Sequence, residues 1–251
     1  MGDHPVFACL LAGWCGLGAI ACLALFQTAA PYGRFERPGW GPGLPPRLAW
    51  FLMESPGAFV FAAVLLASRP IPLVPALFGA IWLVHYGYRG FLYPVLIRST
   101  RRVPVMIVAS AIGFHAANAT LQAWALYRLR PARPVEWLLD LRFVAGAALF
   151  AGGVALAAGA DGRLRRLRPH GGQQYCIPTG GLFKYISCPN YLGEIVEWTG
   201  WAVLTWTSAG AAFAFWTVAN LLPRAVAVHR WYRRQFTDYP PERRALIPHI
   251  L

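Results

Sequence analysis

The sequence predicts an all-α polytopic membrane protein with seven transmembrane helices, and three observations carry that expectation. Of its 251 residues, 57% are apolar and only 13% charged, well below the roughly one-quarter charged content of soluble domains. Apolar stretches of about 20 residues, each enough as helix to cross a ~30 Å hydrocarbon core, recur along almost the whole chain. The basic residues gather between those stretches, where membrane topology rather than nucleic acid accounts for the net charge of +13.

Taken in order, the spans are Pro5–Ala29, Arg47–Ala67, Pro72–Ile97, Val103–Tyr127, Trp137–Ala160, Tyr185–Thr207 and Ala209–Trp231. The first is too long, and Met1–His4 too poor in Lys and Arg, for a cleaved secretory leader, so it is expected to stay as a helix. The stretch Pro31–Pro46 is rich in Pro and Gly, which excludes helix and predicts a long loop. Shorter connections follow at 98–102, then the strongly basic Asp161–Lys184 and a tail over 232–251. No stretch is left for a separate soluble domain, so residues 1–251 are expected to form one integral membrane domain. No repeat of 20–50 residues is visible, which weakens a transporter reading.

An N-terminus outside and a C-terminus in the cytoplasm places sixteen basic residues inside, among them Arg98, Arg165 and Arg168, and only Arg69, Arg128, Arg130 and Arg133 outside. Arg89, Arg142 and Arg224 fall within spans. Lys184 is the single lysine among 23 basic residues, a bias associated with GC-rich genomes that points to a bacterial cytoplasmic membrane. Cys9, Cys15, Cys22, Cys176 and Cys188 are odd in number and include no Cys-x-x-Cys, so neither a disulfide frame nor a metal site is expected.

An ionisable group deep in a bilayer needs a partner, a cavity or a function, since it costs about 2.5–3.5 kcal/mol on insertion scales. Four acids fall in spans: Glu54, Asp140, Glu194 and Glu197. Pro56, two residues after Glu54, disturbs the local backbone through the carbonyl of Leu52. On the third span Trp82, Tyr86, Arg89 and Tyr93 share a face that can meet Glu54; the packing alternative is that Glu54 merely pairs with Arg89. His115, Asn118 and Gln122 are expected to form inter-helix hydrogen bonds and carry no catalytic role.

On the sixth span Ser187, Asn190, Glu194 and Glu197 line one face, with Arg224 and the basic loop as available cations for the two carboxylates. His229, Arg230 and Tyr232 close the seventh span. Together these groups describe a polar cavity open to the cytoplasm and suited to a phosphate-bearing ligand. No Gly-x-Gly-x-x-Gly follows a strand, and Gly13, Gly16 and Gly18 lie within an apolar span, so a dinucleotide would be held by the bundle itself.

The run YCIPTGGLFKYISCPNYLGEIVEWTG from Tyr175 to Gly200 resembles the signature of the steroid 5α-reductases. The similarity continues through Arg224, His229-Arg230-Trp231-Tyr232, FTDYP from Phe236 and RRALIP from Arg243, and reappears upstream in AWFLMESP from Ala49 and in His85-Tyr86. This resemblance implies a seven-helix bundle that binds NADPH within the membrane and reduces the Δ4 double bond of 3-oxosteroids. It gives Glu54 and Tyr86 the role of engaging the substrate ketone, and makes Trp198 a wall of the steroid pocket. It carries cofactor-binding roles onto Asp161, Arg168, Tyr175, Asn190, Glu194 and Tyr232, and onto Arg98, Arg165, Arg224 and His229. Met53, Ala157 and Val228 depart from polar residues common in such proteins, which bears on the substrate rather than on the reaction.

Hydride adds to the β carbon of an enone only when charge developing on the ketone oxygen is stabilised, a task for two hydrogen-bond donors such as a neutral carboxyl and a phenol. Burial favours the neutral carboxyl. The proton that reaches the α carbon has no source visible in the sequence. Related membrane reductases act on polyprenols or enoyl thioesters, isoprenylcysteine methyltransferases share a similar C-terminal plan, and a transporter would move solute without oxidising a nicotinamide.

Overall fold

The computed structural model describes residues 4–129, 133–167 and 175–251. Helix α1 spans Pro5–Gln27, α2 Pro46–Leu66, and α3 Leu73–Gly87, which runs through a π-helical turn at Tyr88–Leu92 into the short α4, Tyr93–Leu96. Helix α5 covers Val105–Trp124 and ends in a second π-helical turn, Ala125–Leu129. A 3₁₀ turn, Val135–Leu139, leads into α6, Leu141–Leu167, followed by α7, Pro189–Thr205, and α8, Ser208–Gln235. Proline stands in the first turn of α1, α2, α4 and α7, where its missing N–H has no intrahelical partner to lose.

Among the described residues, five helices are long and apolar enough to cross a membrane: α1, α2, α5 with its π turn, α6 and α8. The third and sixth predicted spans fall short of that length as uninterrupted helix, because the π turn breaks α3 from α4 and α7 has 17 residues. Both carry the polar groups described below. Strand is confined, among the described residues, to β1 (Gly43–Leu44) and β2 (Val103–Pro104), antiparallel with Gly43 opposite Pro104.

Several boundaries differ from the sequence expectation. Helix α6 continues through Leu167, so Asp161, Arg163 and Arg165 ride on a helix instead of opening a loop. Helix α7 begins at Pro189 and leaves Tyr185–Cys188 outside it, where Ile186 pairs with Arg244 of the tail. Ser187 therefore does not share the α7 face. Helix α8 runs to Gln235 and takes in Tyr232. Asp140 precedes α6 instead of lying within it, partly exposed, and accepts from Arg142 at 2.8 and 2.7 Å, which holds its carboxyl down at about 2.

Helices α6 and α7 pack backbone to backbone along four glycines, Gly146 and Gly153 on one side and Gly193 and Gly200 on the other. A Cβ added at any of them would fall closer than 3.0 Å to the partner helix's main chain. Such close approach of small residues is how helices gain dispersion contact without a hydrophobic drive between them. Ala157, one of the noted departures, lies on this seam against Gly193.

The aromatic core fills the middle of the bundle. Phe61, Phe78, Trp82, Trp198, Trp201 and Phe213 are all buried, with Trp82 and Phe61 stacked at 4.9 Å. Their polar tips are satisfied: Trp82 Nε1 donates to the Gly57 carbonyl at 2.8 Å, and Trp201 Nε1 to Gln122 Oε1 at 2.9 Å. Gln122 Nε2 donates in turn to the Ala209 carbonyl at 2.7 Å, joining α5, α7 and α8 as inter-helix hydrogen bonding predicts.

Candidate active site

Pro56 lies inside α2, and the turn around it presents Glu54, buried at 8% exposure, toward the π turn that follows α3. A π turn carries one extra residue per turn and re-aims the side chains it bears. Here it turns Arg89 inward among three carboxylates, 3.5 Å from Glu54 Oε1, 3.5 Å from Glu194 Oε1 and 3.8 Å from Asp161 Oδ2. The guanidinium also lies over the rings of Trp50 and Tyr93, at 5.0 and 4.9 Å. Helices α2, α6 and α7 thus converge on one arginine from the third rod.

Tyr86, 1% exposed, stands one turn deeper on α3. Gly57 makes room for it, because a Cβ there would overlap the phenol ring. The ring packs against Trp82 at 4.8 Å and has Trp198 at 6.1 Å, while His115 meets it edge-on at 5.5 Å. The same His115 places Nε2 at 3.6 Å from Glu54 Oε2 and leaves Nδ1 buried without a hydrogen-bond partner among the described residues. Glu54 and Tyr86 are therefore brought to either side of one imidazole. No hydrogen bond holds the Tyr86 hydroxyl among the described residues.

The packing alternative for Glu54, pairing with Arg89, is present in the geometry, yet the contact is long. A charge-assisted bond to an arginine sits at 2.7–2.9 Å, whereas Arg89 is spread over three acids at 3.5–3.8 Å. Asp161 has further partners in Asn190, Tyr93 and Arg165, so Glu54 and Glu194 are the acids that lean most on Arg89, each at 3.5 Å. Glu197, the other α7 acid, pairs instead with His85 Nδ1, and the imidazole rests on Trp198 at 4.6 Å. Arg224, offered by the sequence as a cation for these acids, lies elsewhere, over Tyr32 at 4.9 Å and Tyr191 at 5.5 Å.

Of the expected cofactor residues, Asn190 donates to Asp161 Oδ1 at 3.2 Å, which ties α7 to α6 beside Glu194. Arg98 donates to the Arg165 carbonyl at 3.4 Å, and Arg165 lies 5.6 Å from the Tyr93 ring with Nη1 buried and unpartnered. Arg98 and Arg165 also line a cavity of about 790 Å³ together with Arg47, Arg102 and Arg166. His229 Nδ1 lies 2.7 Å from Ser187 Oγ, which also lies 2.6 Å from the Tyr239 hydroxyl. Arg168 lies outside the described residues.

Tyr175 and Tyr232 meet around Arg34 of the 31–46 segment, whose guanidinium stands 4.7 Å from Tyr175, 4.7 Å from Trp231 and 4.8 Å from Tyr232. Tyr32 against Arg224, Glu36 against Arg101 at 3.7 Å and the β1–β2 pair fasten the rest of that segment. It forms a strap over the arginine-rich end of the bundle. Reasoning from sequence missed Arg34 and gave Arg89 and His115 no site role. The only available signal for Arg89 was its place on the Trp82–Tyr93 face.

The donors and acceptors present fit a nicotinamide dinucleotide: an amide and two acids beside arginines, one of which has a buried N–H left unused. What the fold and the site define is a helical protein with apolar, membrane-length helices and a packed aromatic core beside a buried polar cluster.

A family model described as 3-oxo-5-alpha-steroid 4-dehydrogenase matches residues 101–251. The chain is 43% identical to a steroid 5-alpha-reductase DET2 of Gossypium hirsutum over 91% of both chains. It is 41% identical to a 3-oxo-5-alpha-steroid 4-dehydrogenase 2 of Sus scrofa over 96% of both. It is 35% identical to a 3-oxo-5-alpha-steroid 4-dehydrogenase 1 of Macaca fascicularis, covering 100% of this chain and 96% of that one. The chain belongs to the 3-oxo-5-alpha-steroid 4-dehydrogenase family, a family of oxidoreductases that act on a CH–CH group of steroids with a nicotinamide cofactor.

Proposed function

We propose that the protein reduces the Δ4 double bond of 3-oxo-Δ4-steroids to 5α-reduced 3-oxosteroids, with NADPH as cofactor. Family membership supports the substrate class, and the observation that carries the site is the placement of Glu54 and Tyr86 around His115 beside the aromatic core. Glu54 in its acid form and the Tyr86 phenol both donate to the ketone oxygen as it gains charge. Trp198, against Tyr86 and His85, walls the steroid site.

Asp161, Asn190, Glu194 and Tyr232 hold the cofactor with Tyr175, Arg224 and His229, and Arg98, Arg165 and Arg168 receive its phosphates. When bound, the reduced nicotinamide supplies the hydride that adds to the β carbon. Arg89 keeps Glu54, Asp161 and Glu194 in one cluster, so the ketone end and the cofactor end share a positioning residue.

The whole chain, residues 1–251, acts as one integral membrane reductase domain crossing the bilayer seven times, N-terminus outside and C-terminus cytoplasmic. The charge asymmetry of the connections supports that orientation, and the arginine bias supports a bacterial cytoplasmic membrane.

Purified protein with NADPH and a panel of 3-oxo-Δ4-steroids, polyprenols and enoyl thioesters tests this reading. The expected result is stoichiometric loss of NADPH absorbance and a 5α-reduced product from the steroids alone. Turnover of only the polyprenols or thioesters would overturn it.

A further inference from the structure

Outside the candidate active site, a cavity lies between the C-terminal ends of α1 and α8. Near its middle α1 is clamped to α8: Gly18 packs on Phe215 and Trp216, and Trp216 Nε1 donates to the Trp14 carbonyl at 2.9 Å. Beyond that clamp a groove of about 340 Å³ opens between Leu25–Ala29 and the last turns of α8. Its floor is apolar, formed by Leu25, Phe26, Phe35 and Val226, and its rim carries Arg230 and Arg234. These two arginines stand one turn apart on the same helix face. Both are exposed, and neither forms an ion pair among the described residues.

We propose that this groove binds one anionic glycerophospholipid, its phosphate held between Arg230 and Arg234 and an acyl chain laid along Leu25, Phe26 and Val226. A paired guanidinium site above an apolar cleft, where a membrane helix reaches the interface, matches that molecule at both ends. Arg233 carries the same charge at the same depth and does not line the groove, which separates a built site from general attraction of cations to anionic membranes. The groove also touches the strap: Phe35 adjoins Arg34, and Trp231 lines the groove while its ring receives Arg34 at 4.7 Å.

The test titrates dioleoyl phosphatidylglycerol and dioleoyl phosphatidylcholine separately into the detergent-solubilised full chain, following melting temperature and lipid retained in native mass spectrometry. The phosphatidylglycerol is expected to bind saturably with one lipid retained, and the phosphatidylcholine not to bind saturably. The Arg230→Gln/Arg234→Gln double variant should weaken phosphatidylglycerol binding about thirtyfold, while Arg233→Gln leaves it within about twofold of the parent. Ala227→Trp, which fills the groove without altering charge, should also abolish retention. Equal response to both lipids, or equal losses from Arg233→Gln and the double variant, would overturn the site.

Discussion

On one side of Tyr86, Trp82, Trp198, Trp201 and Phe213 pack ring against ring, and the buried indole nitrogens of Trp82, Trp137 and Trp201 each reach an acceptor at 2.8–3.0 Å. On the other side, Glu54, Asp161 and Glu194 share Arg89 at 3.5–3.8 Å, and one buried nitrogen each of His115 and Arg165 has no hydrogen-bond partner among the described residues. In the first region the indole nitrogens are satisfied by backbone carbonyls and by Gln122. In the second, Glu54 and Glu194 rest on one arginine at 3.5 Å, a long contact for a buried charge pair. The contrast sets a well-satisfied aromatic side against a loosely paired polar side within two helical turns.

The largest expected effect breaks the polar side. Arg89→Met leaves three inward-facing carboxylates without their shared cation, and should lower stability by about 3–5 kcal/mol. The measurement is thermal unfolding in detergent; a loss confined to turnover would mean that the cluster does not depend on Arg89. The change should also raise the Michaelis constant for NADPH, because Asp161 and Glu194 lose their common anchor.

A smaller effect is expected on the aromatic side. Trp201→Phe keeps most of the ring but leaves Gln122 Oε1 buried and unsatisfied, a loss of about 1–3 kcal/mol. Unfolding should register it while the Michaelis constant for NADPH stays unchanged. A cofactor-specific loss would blur the division between the two regions.

The smallest effect probes the edge of the polar side. Arg165→Gln removes one guanidinium from the cavity it shares with Arg98, and should raise the NADPH Michaelis constant about tenfold, or ~1.4 kcal/mol, with little change for NADH. Equal changes for both cofactors would show that Arg165 does not read the 2′-phosphate.

Much of this contrast was legible in the sequence. Glu54 beside Pro56 marked a polar spot, and Trp82, Tyr86, Arg89 and Tyr93 at helical spacing marked a face that could meet it, because period and burial cost act locally. The convergence of three acids on Arg89 was not legible, since it depends on a π turn that no simple period announces. Asp140 was misplaced because a short 3₁₀ turn ahead of α6 sets it outside the apolar helix. Ser187 was assigned to the α7 face because the apolar run continues through residues that the chain uses to meet Arg244. The Arg34 clamp escaped notice for a related reason: Pro31–Pro46 has no period, so only the folded strap shows which rings its cations reach.

The proposed joint action of Glu54 and Tyr86 on one ketone oxygen is open to a double-mutant cycle in single-turnover reduction of a 3-oxo-Δ4-steroid. Glu54→Ala and Tyr86→Phe should each slow the reduction about 10²–10³-fold in folded protein that still binds NADPH. Glu54→Gln, which keeps a donor, should retain more activity, and the double variant should lose less than the two single losses summed in free energy. Near-normal reduction by folded, NADPH-bound Glu54→Ala protein would contradict that joint action and leave Glu54 as a packing partner of Arg89.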